Sequence, residues 1–94
     1  MIRSFEDKNL EKCWRTDQCS KIRPDLVRRV LMKLDLMDAA TCLDDLKSPP
    51  SNHLHRLHGT GYQKCWAISV SGPWRLVFRF ENGESLDVRL EQYH

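Results

Sequence analysis

Lys64-Cys65-Trp66-Ala67-Ile68-Ser69-Val70-Ser71-Gly72-Pro73-Trp74-Arg75-Leu76-Val77-Phe78-Arg79-Phe80-Glu81-Asn82-Gly83-Glu84-Ser85-Leu86-Asp87-Val88-Arg89-Leu90 decides the fold. Trp66, Ile68 and Val70 alternate with Cys65, Ala67 and Ser69, the period of a half-buried strand. Ser71-Gly72-Pro73 interrupts the run. Trp74, Leu76, Phe78 and Phe80 then share one face of a second strand, with Arg75, Val77 and Arg79 on the other. Asn82-Gly83 is a strong hairpin signal, and Leu86, Val88 and Leu90 alternate after it.

The register of this last hairpin follows from keeping one face apolar. A two-residue Asn82-Gly83 loop sets Phe80 opposite Ser85, Phe78 opposite Asp87 and Leu76 opposite Arg89, which mixes polar with apolar side chains. A three-residue loop, Glu81-Asn82-Gly83 with a left-handed Gly83 in a bulge, pairs Phe78 with Leu86, Leu76 with Val88 and Trp74 with Leu90. The second register is the expected one. It predicts an apolar sheet face under a helix layer and a polar face carrying Arg75, Arg79 and Arg89.

Upstream, residues 2–5 read as a short strand. Ser4 with Asp7 reads as a capping box that opens a helix placing Leu10, Cys13 and Trp14 on one side. Residues 16–20 are a polar turn. Pro24 and Asp25 suit the first turn of a second helix, whose stripe is Leu26, Val27, Val30, Leu31, Leu34 and Met37. Arg28, Arg29 and Lys33 lie off the stripe and are expected at the surface. A short third helix fits residues 39–46, with Leu43 and Leu46 inward. Ser48-Pro49-Pro50-Ser51 ends helical structure.

These elements predict one α+β domain over residues 1–94, with two or three helices on one face of a mostly antiparallel sheet of four to five strands. The first strand joins a sheet edge. At 94 residues and 40% hydrophobic content, the chain supports one modest core. It has neither an apolar run of membrane-spanning length nor the apolar stretch of a signal peptide, so a soluble cytoplasmic protein without membrane contact is expected. The net charge of +2 is small, but the first third is basic, which suits nucleic acid as well as a solvated helix face. Cys13, Cys19, Cys42 and Cys65 form no Cys-x-x-Cys pair and read as free thiols, with Cys13 and Cys65 at core positions.

The segment Asn52-His53-Leu54-His55-Arg56-Leu57-His58-Gly59 concentrates three of the four histidines. On a strand, His53 and His55 share a face and could hold zinc, but His58 would need a kink to join them. Surface histidines without metal are the commoner outcome, and no metal or cofactor is expected. Gly59-Thr60-Gly61 is too short and misplaced for a phosphate-binding loop.

Ile2-Arg3-Ser4-Phe5, Leu54-His55-Arg56-Leu57-His58-Gly59, Trp66-Ala67-Ile68-Ser69-Val70, Trp74-Arg75-Leu76-Val77-Phe78 and Tyr93-His94 together resemble the HigB toxins of the RelE/ParE superfamily. The resemblance spans nearly the whole chain with its blocks in order. It implies a RelE-like fold and a ribosome-dependent endoribonuclease that cuts mRNA in the decoding site of the 30S subunit. It also implies a HigA-like helix-turn-helix antitoxin, which carries any DNA binding for the pair.

The chemistry agrees with the residue types. Cleaving RNA through its own 2′-hydroxyl needs a proton acceptor, a donor to the 5′-oxygen and cations near the phosphate, and requires no metal. Imidazole, with an ordinary pKa of about 6.5, suits the proton transfers. Arginine suits the phosphate. By resemblance, His55 and His94 match the family's active-site histidines, Tyr93 stands beside His94, and Arg75 matches the Trp-Arg position. His58 stands where relatives often carry Lys. Gln92 stands where they often carry Asp, and an amide can neither act as a base nor hold His94 protonated. Two other classes remain open: a ParE-like gyrase poison, and a plain RNA- or protein-binding module.

Overall fold

A computed structural model describes residues 1–92. Helix α1 spans Lys8–Thr16 and α2 spans Val27–Ala39, followed by 3-10 turns at Leu43–Lys47 and Pro50–Asn52. Strands β1 (His55–Arg56), β2 (Cys65–Ser71), β3 (Trp74–Glu81) and β4 (Glu84–Gln92) form one antiparallel sheet in the order β1-β2-β3-β4. Residues 2–5 meet the free edge of β4 through isolated parallel bridges, Ile2 to Ser85 and Phe5 to Val88. Both helices cover one sheet face, and the core joins Leu10, Val30, Leu34 and Met37 to Ile68, Val70, Leu76, Phe78 and Val88. This is the α+β layering expected.

The hairpin register is resolved differently from the expectation. The loop is the two-residue one, with Glu81 opposite Glu84 and Phe80 opposite Ser85. Asn82 (φ 52°) and Gly83 (φ 79°) both take the left-handed conformation that a mirror-image turn requires. A Cβ on Gly83 would also stand 3.1 Å from the Thr41 carbonyl oxygen. The bulge lies in β4 instead, where the register shifts between Val77 and Arg79 and Asp87 has φ 53°. Beyond it Leu76 faces Leu90, and Trp74 faces Gln92. The extra residue turns Val88 and Leu90 toward the helices, while Leu86, opposite Arg79, stays on the other face.

Several local expectations are corrected. The α1 cap is Asp7, whose Oδ1 accepts from the Leu10 amide at 3.1 Å. Ser4 instead clasps the bulge: its Oγ accepts from the Asp87 amide at 2.9 Å. Helix α2 starts at Val27 and has no side-chain cap, because Pro24 and Asp25 lie in the preceding turn. In place of a third α-helix there are five residues of 3-10 turn, and Pro50 opens another. Lys33, expected at the surface, is 4% exposed. Cys13 and Cys19, read as free thiols, are joined in a disulfide. Asp17, left-handed at the α1 C-terminus, folds the chain back so that their Cα atoms stand 4.3 Å apart. Cys42 and Cys65 are free. The second sheet face is also not wholly polar. Leu57, Cys65, Ala67 and Val77 form a small buried cluster there, with Tyr62 packed on it.

The bulge yields a stability test. Asp87→Val places a β-branched residue at positive φ and is expected to cost about 1–3 kcal/mol in urea unfolding. Asp87→Asn, which tolerates that conformation, should cost about 1 kcal/mol or less. Equal losses for the two variants would contradict the conformational account.

Candidate active site

At the Trp74 end of the sheet a cleft of about 270 Å³ is lined by His55, Ser69, Gly72, Pro73, Trp74 and Arg75. Its walls come from adjacent strands. His55 on β1 lies opposite Ala67, and Ser69 lies opposite Arg75 on β3. Gly72 and Pro73 supply the turn between them. Two residues matched to chemistry by sequence, His55 and Arg75, therefore share one cleft.

His55 is held in a defined tautomer. Its Nδ1 lies 2.7 Å from the carbonyl oxygen of His53. A carbonyl only accepts, so Nδ1 carries the proton, and the neutral ring presents Nε2 as its acceptor. The carbonyl is aimed by a left-handed His53 at φ 47°, which also keeps His53 off the strand and prevents the His-x-His face. Behind it Asn52 is fully buried. Its Nδ2 donates to the carbonyls of Leu46 (3.0 Å) and Ser48 (3.3 Å), and its Oδ1 accepts from Lys33 Nζ. The segment that carries His55 is thereby pinned to α2.

Arg75 is set in a charge network. Its side chain is 12% exposed, with Nη2 3.5 Å from Glu91 Oε1. The same Glu91 accepts from the Tyr62 hydroxyl at 2.7 Å and from Arg89 Nε at 2.5 Å. The guanidinium groups of Arg75 and Arg89 each lie 5.6 Å from the centroid of the Tyr62 ring. Arg89 also reaches Glu6 at 2.8 Å, and Arg79 pairs with Asp87 and Glu81. The arginines expected on this face are present, but acidic partners compensate them. Burial pushes the Glu91 carboxyl up, yet the hydrogen bonds from Arg89 and Tyr62, with the charges of Arg89 and Arg75, leave it below its ordinary value.

The other sequence candidates are placed as follows. His58 is exposed, beyond β1, and does not line the cleft. Gln92 is exposed at the end of β4, opposite the cleft residue Trp74. Tyr93 and His94 lie outside the described residues. Among the described residues, no three His, Cys, Asp or Glu side chains gather as a metal site would require. Sequence reasoning missed Ser69, Tyr62 and Glu91. Glu91 was recoverable, since it shares a strand face with Arg89 two residues earlier. Tyr62 sits in a loop without periodicity and gave no signal.

Helices on one face of a four-stranded antiparallel sheet, with a His/Arg cleft at its end, match a RelE-like α+β fold. The chain belongs to the RelE-like toxins of the type II toxin-antitoxin system HigB, a family matched over residues 3–94. It is 32% identical to Toxin HigB-1 of Vibrio cholerae over 94 residues, covering 99% of this chain and 98% of that protein. It is 33% identical over 96 residues to Endoribonuclease HigB of Proteus vulgaris, covering both chains completely. An uncharacterised Haemophilus influenzae protein is 35% identical over 77 residues, covering 82% of this chain and 75% of that one. Membership in this family implies an antitoxin partner. Among the described residues, no helix is long and apolar enough to cross a membrane.

Glu91 anchors the network, so Glu91→Gln is expected to lower stability by about 1–3 kcal/mol near neutral pH. A carboxyl whose pKa is lowered in the folded state contributes its full stability above its ordinary pKa of 4.5 and loses it as pH falls through the folded value. Wild type and variant should therefore converge in urea unfolding as pH falls below the folded value of the Glu91 carboxyl. A difference that persists there would place the effect in packing rather than charge.

Proposed function

We propose that this toxin is a ribosome-dependent endoribonuclease that cleaves mRNA in the decoding site. The observation that carries the proposal is the shared cleft of His55 and Arg75, with Nε2 of His55 presented as an acceptor. In this reading His55 takes the proton of a ribose 2′-hydroxyl. The resulting oxygen attacks the adjacent phosphorus, and the bond to the 5′-oxygen breaks to leave a 2′,3′-cyclic phosphate and a 5′-hydroxyl. Arg75, held at the cleft wall by Glu91, stabilises charge on the phosphate oxygens. His94, with Tyr93 beside it, supplies the proton to the leaving oxygen. Gln92 contributes no proton transfer, and His58 lies beyond the cleft. No step calls on a metal.

The name Endoribonuclease HigB borne by the Proteus vulgaris relative supports this activity. The match to the HigB family favours it over a gyrase poison. The antitoxin is proposed to be a HigA-like helix-turn-helix protein that carries the DNA binding of the complex, and the site of action is proposed to be the cytoplasm. On purified ribosomes programmed with mRNA, His55→Ala and Arg75→Ala are each expected to slow single-turnover cleavage by about 10²–10⁴-fold. Circular dichroism should show both variants folded. Wild-type rates in folded His55→Ala would remove the assignment of the base.

A further inference from the structure

Lys33 is the one buried lysine side chain among the described residues, and cleavage at the His55–Arg75 cleft makes no use of it. Its ammonium has three donors, and the described residues give it one acceptor, the neutral amide oxygen of Asn52. No carboxylate among the described residues forms an ion pair with it. Burial pushes its pKa down, and the neighbouring Arg29 charge pushes it further the same way. A cation desolvated without a counter-charge is an unfavourable arrangement that a bound anion relieves.

Space for such an anion adjoins it. A second cleft, of about 250 Å³, is lined by Arg29, Met32, Lys33, Ser51 and Val70. Two cations and a hydroxyl converge there, and no acidic residue lines it. Arg29 Nη1 also donates to Ser71 Oγ at 3.0 Å, which fixes one wall to the β2–β3 turn. The opposite side of that turn, Gly72 and Pro73, lines the His55–Arg75 cleft. Ser51 and His55 meanwhile lie four residues apart on one segment. The two clefts thus flank the same hairpin end.

We propose that the Arg29–Lys33–Ser51 cleft is a phosphate-binding subsite, occupied by a backbone phosphate of the RNA strand whose scissile bond lies at His55. The assignment of the occupant rests on the ribonuclease reading; the affinity for phosphate does not. A phosphate fits because its oxygens accept from ammonium, guanidinium and hydroxyl donors at once. Met32, 52% exposed at the rim, leaves an apolar shelf beside it for the adjoining sugar or base.

The test is an NMR titration of the labelled protein with inorganic phosphate, and separately with a fully 2′-O-methylated heptanucleotide that cannot be cleaved. Saturable shifts at the Lys33 ammonium and the Ser51 amide, with a rise in the Lys33 pKa, are expected with both ligands. Arg29→Gln and Ser51→Ala should each weaken binding by about tenfold. Saturation by inorganic phosphate alone would identify free phosphate as the occupant and overturn the RNA assignment. Shifts that rise linearly with either ligand, or that ignore both variants, would overturn the subsite even if ribosomal cleavage proceeds normally. Saturable binding in a protein that fails to cleave RNA would instead sink the ribonuclease reading and leave the phosphate site standing.

Discussion

The β-bulge at Asp87 is the constraint on which the rest of the fold depends. Alternation through an unbroken β4 would turn Val88 and Leu90 away from the helices once the two-residue turn had set Phe80 against Ser85. One inserted residue reverses that. It returns Val88 to the core and directs Arg89 and Glu91 to the opposite face, toward Tyr62 and Arg75. The bulge is also where the N-terminus attaches. Ser4 bonds the Asp87 amide, and the amides of Glu6 and Asp7 donate to the Val88 carbonyl. Core, N-terminal edge and charge network therefore share one backbone irregularity.

The site inherits its order from that frame and from α2. Arg75 and Glu91 face one another across paired strands, so their contact is set by the ladder. His55 belongs to a two-residue edge strand, which a ladder alone would hold weakly. Its stiffness comes instead from Asn52, buried and bonded to Lys33 and to two carbonyls of the preceding loop. A short strand anchored behind its histidine leaves the ring at an open edge, where a nucleic-acid chain can approach.

Much of this was legible in the sequence. Period-two alternation gave the three long strands, and helical spacing gave the α2 stripe, because both patterns follow from burying one face. The layering, and the joining of residues 2–5 to a sheet edge, came with them. The register did not, because a left-handed Asp87 carries no mark that distinguishes it from an ordinary solvent-facing acid. Lys33 was misread for a related reason. Its stem lies one position from the apolar stripe, and its partner Asn52 stands nineteen residues away across two turns. The Cys13–Cys19 pair was missed because it depends on the reversal at Asp17, which spacing does not display. In the site, residue types and family likeness singled out His55 and Arg75, and the structure sets them in one cleft. Tyr62 and Glu91, which surround Arg75, became visible only through tertiary contact.

The functional account turns on one proton. His55 can serve as the base only if the His53 carbonyl holds hydrogen on Nδ1 and leaves Nε2 open. Nitrogen-15 NMR of the imidazole, recorded above the histidine titration range in the free protein, reads this directly. The account predicts a protonated Nδ1 and an unprotonated Nε2 for His55. A neutral ring with its proton on Nε2 would contradict it.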